Sequence, residues 1–187
     1  MKLNIKGAHY LEIGAFDNIN FSSVASENKI SVDPDKNTKP TFLGTSDDFF
    51  AQNDKLFDVI FIDGLHTFDQ CRKDAINALK FVKKNGFIFF HDFVPRNWIE
   101  EHVPQLRKIL WTGDVWKVSI ELTKTSGIDF KVILADHGIG VVKKKEEVVS
   151  YCNEEYDKLK KLKFRDFLKL NELVPYVDAW EAFKSLD

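Results

Sequence analysis

Cysteine is scarce in this 187-residue chain. Cys71 and Cys152 stand far apart with no CxxC pair, which excludes a thiolate zinc site and a disulfide-rich secreted scaffold and favours a reducing compartment. Charge of one sign is lacking too: 27 Lys and Arg against 29 Asp and Glu leave a net charge of -2, so no global basic field points to nucleic acid or to an anionic membrane surface. No run approaches the roughly 20 apolar residues that span a bilayer, and the opening MKLNIKGAHY has no apolar leader core, so a soluble cytoplasmic protein is expected. Repeats, low-complexity stretches and linker-like runs are absent. With 44% hydrophobic residues, the chain is expected to form a single domain over residues 1–187.

What is present is a series of short apolar runs rich in β-branched and aromatic residues: HYLEIG at 9–14, KISVD at 29–33, TFLG at 41–44, FDVIFID at 57–63 and GFIFFHD at 86–92. Runs apolar on both faces predict central parallel strands covered by helices on each side, an α/β sheet. The clearest helix is 67–84, where Phe68, Cys71, Ala75, Ala78, Leu79 and Val82 recur at three- and four-residue spacing and Asn85-Gly86 supplies a stop. It joins the strands at 57–63 and 86–91 as a right-handed βαβ unit, so Asp63, His66, His91 and Asp92 converge on one edge of the sheet. The segment 114–124 fits a helical face through Val115, Val118 and Leu122, although its alternation would also suit a strand, and it is read as helix. DFKVILADHGIGVVKKK predicts an antiparallel hairpin of strands at 129–135 and 139–144. From about 150 to 187 the pattern is charged and helical, an extension beyond a core of about 8–145.

The first strand ends as YLEIGAFDN. Gly14 there lets a ligand approach the backbone, and Glu12 can anchor the loop or a cationic ligand group. The G-x-G-x-x-G fingerprint is missing, so no cradle for a pyrophosphate is expected. The second strand ends in Asp33, where α/β nucleotide binders place a carboxylate for ribose hydroxyls; the bland alternative is an Asp that starts a turn before Pro34. Together, Gly14 and Asp33 suggest a ribose-bearing cofactor without a diphosphate.

The order YLEIG, SVDPD, TFLGTSDDFF, FDVIFIDGLHTFDQCRKDAINALKFVKKNGFIFFHD, GDVWK and ADHGIGVVKK resembles the class I S-adenosylmethionine-dependent methyltransferases, within them a small group with a DGLHTYEQ signature and a following strand ending in HD. The resemblance implies a Rossmann-like sheet of seven strands, mostly parallel with the last antiparallel, and helices on both faces. It implies S-adenosyl-L-methionine as cofactor, with Glu12 and Gly14 facing its methionine part, Asp33 its ribose, and Ser46 and Asp47 its adenine edge. The chain departs from the family pattern at Asn18, where many members keep a second loop glycine, and it lacks the helix that commonly precedes the first strand.

The resemblance extends to metal-dependent sugar O-methyltransferases, which share the Asp-x-x-His spacing of Asp63 and His66. It implies a divalent metal, magnesium or manganese, held by Asp63, His91 and Asp92, and His66 as the base that takes the acceptor proton. An imidazole at position 91 would suit manganese, iron or zinc better than magnesium. A lone His at a helix start reads as a turn residue or cap; an Asp-x-x-His aimed at the same edge as a His-Asp pair reads as a set. His137 sits in the hairpin turn, and His9 and His102 have no partner pattern. The expected activity is O-methylation of a sugar, or another small-molecule or glycoconjugate hydroxyl, with no nucleic acid or membrane partner. Rival readings are a nucleoside-binding module that has lost turnover, favoured by the Asn18 loop, and a metal-dependent hydrolase using His66, His91 and Asp92.

Overall fold

The computed structural model describes residues 5–108, 110–153, 155–170, 173–179 and 181. The predicted runs form β1 (His9–Ile13), β2 (Asn28–Asp33), β3 (Phe42–Leu43), β4 (Phe57–Ile62), β5 (Val82–Phe90), β6 (Ile128–Leu134) and β7 (Ile139–Lys144). An eighth strand, β8 (Tyr176–Asp178), completes one sheet in the order β3-β2-β1-β4-β5-β7-β6-β8. The expectation of seven strands is thus corrected to eight. Within the sheet β7 alone runs antiparallel, paired with both β5 and β6, while β8 lies parallel to β6 on the outer edge. The helical reading of the C-terminal stretch missed β8 because three residues are too few to show an alternation.

Between the strands lie α1 (Ile19–Ser23), α2 (Ser46–Gln52), α3 (Phe68–Phe81), α4 (Trp98–Glu101) and α5 (Lys117–Lys124), followed by α6 (Tyr156–Lys160) and α7 (Phe164–Phe167). The α3 stripe of Phe68, Cys71, Ala75, Ala78 and Leu79 is buried against Leu11, Ile13, Ile60, Ile62 and Ile88. This is the core, and burial of each large apolar side chain contributes roughly 1.5–3 kcal/mol. Trp116 and Val118 bring α5 onto the same core, and Leu159 and Phe167 extend it. Thr67 caps α3 by accepting from the Gln70 amide. At the other end, the buried Lys144 ammonium donates to the Leu79 and Val82 carbonyls. The helix therefore stops at Phe81 and runs straight into β5, earlier than the predicted stop at Asn85-Gly86. Asn85 instead takes a left-handed conformation (φ 64°) where the β4–β5 register shifts between Phe57 and Val59.

On the opposite face, α1 is attached through Asn20, and Phe21 stacks on Tyr10. Beside it Tyr10, Val59, Phe61 and Phe89 line a cavity of about 310 Å³. The parallel arrangement of β1, β2, β4 and β5 brings the loops after these strands to one edge, where the candidate site lies.

Candidate active site

A larger cavity, about 590 Å³, opens at the carboxyl edge between β1, β2 and β4, and Gly14, Asp33, Ser46, Asp63, His66 and Gln70 are among its walls. Gly14 forms the floor with φ at 86°; its amide donates to the Val32 carbonyl. A Cβ at this position would lie 1.9 Å from the Asp63 carbonyl oxygen, so only glycine lets β1 and β4 close here. Asp33 is buried at the rim, its two carboxylate oxygens accepting from the Phe16 amide (3.0 Å) and the Asp35 amide (2.8 Å). A carboxylate has about four lone-pair sites, so two remain for ligand hydroxyls. Ser46, in the first turn of α2, accepts a hydrogen bond from the Gln70 side chain at 3.0 Å. Asn18 adopts φ 61°, the conformation a glycine would take, and its side-chain amide donates to the Thr38 carbonyl. The irregular loop is therefore closed by Asn18 itself.

Two residues expected at the cofactor, Glu12 and Asp47, have partners within the protein. Glu12 is 1% exposed and shares the face of β1 that Tyr10 occupies, opposite Leu11 and Ile13. It accepts from the Tyr10 hydroxyl and from Asn20 at 2.8 Å, and burial pushes its carboxyl up. Of the two roles open to it, Glu12 anchors α1 to β1. Asp47 points outward to Gln70 (3.1 Å) and Lys73 (3.0 Å), and does not line the cavity.

Asp63, at the end of β4, and Asp92, after β5, are joined by His66. One donor atom from each of the three lies within 4.8 Å of the other two. The His66 Nε2 is 3.1 Å from Asp63 Oδ1; Nδ1 is 2.5 Å from the Trp111 carbonyl and 3.1 Å from Asp92 Oδ2. The Trp111 carbonyl and the Asp63 and Asp92 carboxylates only accept, so both ring nitrogens face acceptors, and the charged ring donates from Nδ1 and from Nε2. Burial opposes charge on this ring, but Asp63, Asp92 and the Trp111 carbonyl outweigh it and raise the pKa. Asp92 is buried in a left-handed conformation (φ 66°), fixed by Phe93 and Val94 amides that donate to the Gly138 and His137 carbonyls of the hairpin turn.

His91, expected in the ligand set, lies beside this trio and faces both of its carboxylates. Its Nδ1 is 3.5 Å from Asp63 and 3.4 Å from Asp92, while Asp136 draws Nε2 to 3.3 Å on the other side. Burial disfavours its charge, yet Asp63 and Asp92 overcome this and lift the pKa to about 11. Asp63 in turn is held well below the carboxylate range: its own burial is outweighed by His66 and His91.

Trp111, Gln70 and Asp74 escaped the sequence reading. Gln70 and Asp74 lie four apart on α3, a spacing that places them on one face, and Gln70 donates to Asp74 at 3.1 Å. Burial pushes the Asp74 carboxyl up to about 6, against hydrogen bonds from Ser46 and Gln70 that favour its charge. The folded pKa exceeds the unfolded one, so the folded state binds the extra proton. This group's contribution is most favourable below about pH 4 and is lost as pH rises through about 6. Asp74→Asn is expected to flatten that dependence and to recover about 2–3 kcal/mol at pH 7.5, read by urea unfolding at pH 5 and 7.5. Equal pH dependence in variant and wild type would show that Asp74 does not titrate in this range.

Comparison with known proteins adds the family context. Residues 24–93 match a family model described as a methyltransferase domain. Among solved structures, the SAH-bound methyltransferase PaMTH1 of Podospora anserina is similar over 74% of this chain and 72% of its own, with 16% identity and a TM-score of 0.59. The fold is a methyltransferase fold. An O-methyltransferase from Bacillus cereus in complex with SAH shares that methyltransferase fold over 75% of this chain and 76% of its own (14% identity, TM-score 0.54). MycE, a methyltransferase of the mycinamycin biosynthetic pathway in complex with Mg and SAH, matches 76% of this chain and 46% of its own (14% identity, TM-score 0.50). No curated protein sequence gives a significant match. The shared methyltransferase fold places the cavity beside Gly14 and Asp33 at the carboxyl edge of the sheet, the side on which open α/β sheets bind their ligands.

Proposed function

We propose that this protein is an S-adenosylmethionine-dependent methyltransferase acting on a hydroxyl oxygen of a sugar or another small molecule. The observation that carries the reading is one cavity whose walls include both Asp33 and the Asp63–His66 pair. Asp33 has the free lone pairs to receive ribose hydroxyls, Gly14 gives backbone access, and Ser46 with Gln70 offers polar groups to the base. S-adenosylmethionine supplies an electrophilic methyl group on sulfur. The neutral His66 ring takes the hydroxyl proton, and Asp63 and Asp92 stabilise the ring as it becomes charged. Trp111 stacks on His66 at 5.4 Å between ring centres and supports the ring plane.

A divalent cation fits the residues present, since two carboxylates and an imidazole are offered within 4.8 Å. Asp63 and Asp92 would hold it, and it would lower the pKa of an acceptor hydroxyl. The magnesium seen with MycE supports this part of the reading. His66 serves either as a third ligand or as the base, because one Nε2 lone pair cannot do both.

Titration calorimetry with S-adenosylmethionine, followed by assay of S-adenosylhomocysteine formation over hours, separates a working enzyme from a nucleoside-binding module. Asp33→Ala is expected to weaken cofactor binding by roughly 1.5–3 kcal/mol, the scale of a charge-assisted hydrogen-bond pair. Because Asp33 also holds the Phe16 and Asp35 amides, Asp33→Asn, which keeps one acceptor oxygen, should fall between wild type and Ala. Unchanged affinity in both would remove Asp33 from the site.

A further inference from the structure

Of the thirteen large hydrophobic side chains exposed among the described residues, four fall within residues 98–110: Trp98 (56%), Val103 (37%), Leu106 (48%) and Leu110 (59%). Such side chains scattered singly need no explanation; four in one short segment do. The segment is a loop tied at its base. The Thr112 and Gly113 amides donate to the Glu100 carbonyl (3.1 and 3.0 Å), and the Trp111 indole N–H donates to the His102 carbonyl at 2.9 Å. Between these ties every described residue from Val103 to Leu110 is exposed. Surface loops with closely placed ends often carry function. The base of this one abuts the candidate site, since the Trp111 carbonyl lies 2.5 Å from His66 Nδ1 and its indole stacks on that ring.

The charge that this loop shows to water is of one sign. Glu100 and Glu101 are buried at the base, Glu100 bonded to Arg96 and Asn97 and Glu101 to the Trp116 indole. Arg107 and Lys108 are exposed, and among the described residues neither has a carboxylate partner. Aliphatic side chains and a Trp beside unpaired cations match a lipid surface with anionic headgroups, where apolar groups enter the acyl boundary and Lys or Arg meet the headgroups. We propose that the loop over residues 98–110 seats the protein on an anionic membrane surface, without spanning it. The expectation of no membrane partner rests on net charge and on the lack of a long apolar run, and neither quantity registers a loop of this size. If the proposed methyl transfer holds, the site beside the base of the loop would receive an acceptor hydroxyl carried on a membrane lipid; the attachment itself does not depend on that reading.

The test is sedimentation of the full chain with phosphatidylcholine vesicles, pure or containing phosphatidylglycerol, with no acceptor present. Wild type is expected to sediment with the anionic vesicles and to be released as ionic strength rises, since exposed cations are screened by salt. Arg107→Gln with Lys108→Gln should weaken the association about thirtyfold, and Leu106→Ser with Leu110→Ser about a hundredfold. S-adenosylmethionine affinity by calorimetry should be unchanged in both pairs, because none of the four side chains lines the cavity. Wild type that stays in the supernatant overturns the proposal, and so does binding that both variant pairs keep. A dimer that the Leu pair dissolves, with no binding to vesicles, would give the loop to a second copy of the chain and overturn it as well. Vesicle binding as stated, with no S-adenosylhomocysteine formed from any hydroxyl acceptor, upholds the attachment while the methyl-transfer reading falls.

Discussion

His66→Gln is expected to lower turnover by roughly two to four orders of magnitude, the scale of a lost general base. Gln keeps hydrogen bonding to the Trp111 carbonyl side of the site and has no basicity at neutral pH, so it isolates proton removal from positioning. The pH profile gives a second, independent reading. Only the neutral ring accepts a proton, and Asp63 and Asp92 raise the His66 pKa against the effect of burial. Turnover should therefore rise with pH through an inflection above the ordinary imidazole value, and the rising limb should vanish in the variant. Near-wild-type turnover in His66→Gln, with the authentic acceptor, would send the proton by another route.

Asp92→Asn is expected to abolish metal-stimulated turnover while S-adenosylmethionine still binds, because Asp92 lies outside the cavity walls that Asp33 and Gly14 share. Wild type in excess chelator should lose the same increment and regain it on addition of manganese. Loading should also release protons. The raised pKa values of His66 and His91 mean that rings sharing Asp63 and Asp92 hold protons that a cation at those carboxylates displaces. Proton release is measured by calorimetry in buffers of different ionisation enthalpy. Full activity in chelator, with no response to manganese or magnesium, would leave Asp63 and Asp92 as groups that hold His66 and His91.

The convergence of Asp63, His66 and Asp92 was legible in the sequence because it follows from topology: a right-handed βαβ unit brings two strand ends to one edge. Asp33 and Gly14 were legible for the same reason, as the ends of neighbouring parallel strands. The face that Glu12 takes was legible in the local alternation. Two-residue alternation already separates it from Leu11 and Ile13, and its partner is Tyr10 on its own face. How closely His66 and His91 each approach the two carboxylates depends on side-chain reach and on Asp136, a residue 45 positions from His91 in a turn. Trp111 carried no local signal, since its contact with His66 joins loops 45 residues apart, which no periodicity encodes. The strand β8 was invisible because an edge strand of three residues draws its stability from β6.

Asp92 has a consequence for the order in which the molecule can be assembled. Its left-handed backbone is secured by the Gly138 and His137 carbonyls, and β7 must enter between β5 and β6 to bring that turn into place. A growing chain that has exposed everything through β5 possesses both strand ends and the whole of α3, yet lacks the turn that fixes Asp92. Because a domain folds as a unit, the backbone at Asp92 can be secured only once the hairpin through Lys144 has been made. A chain cut before the hairpin would carry Gly14, Asp33 and Asp63 but not the two carbonyls that secure Asp92.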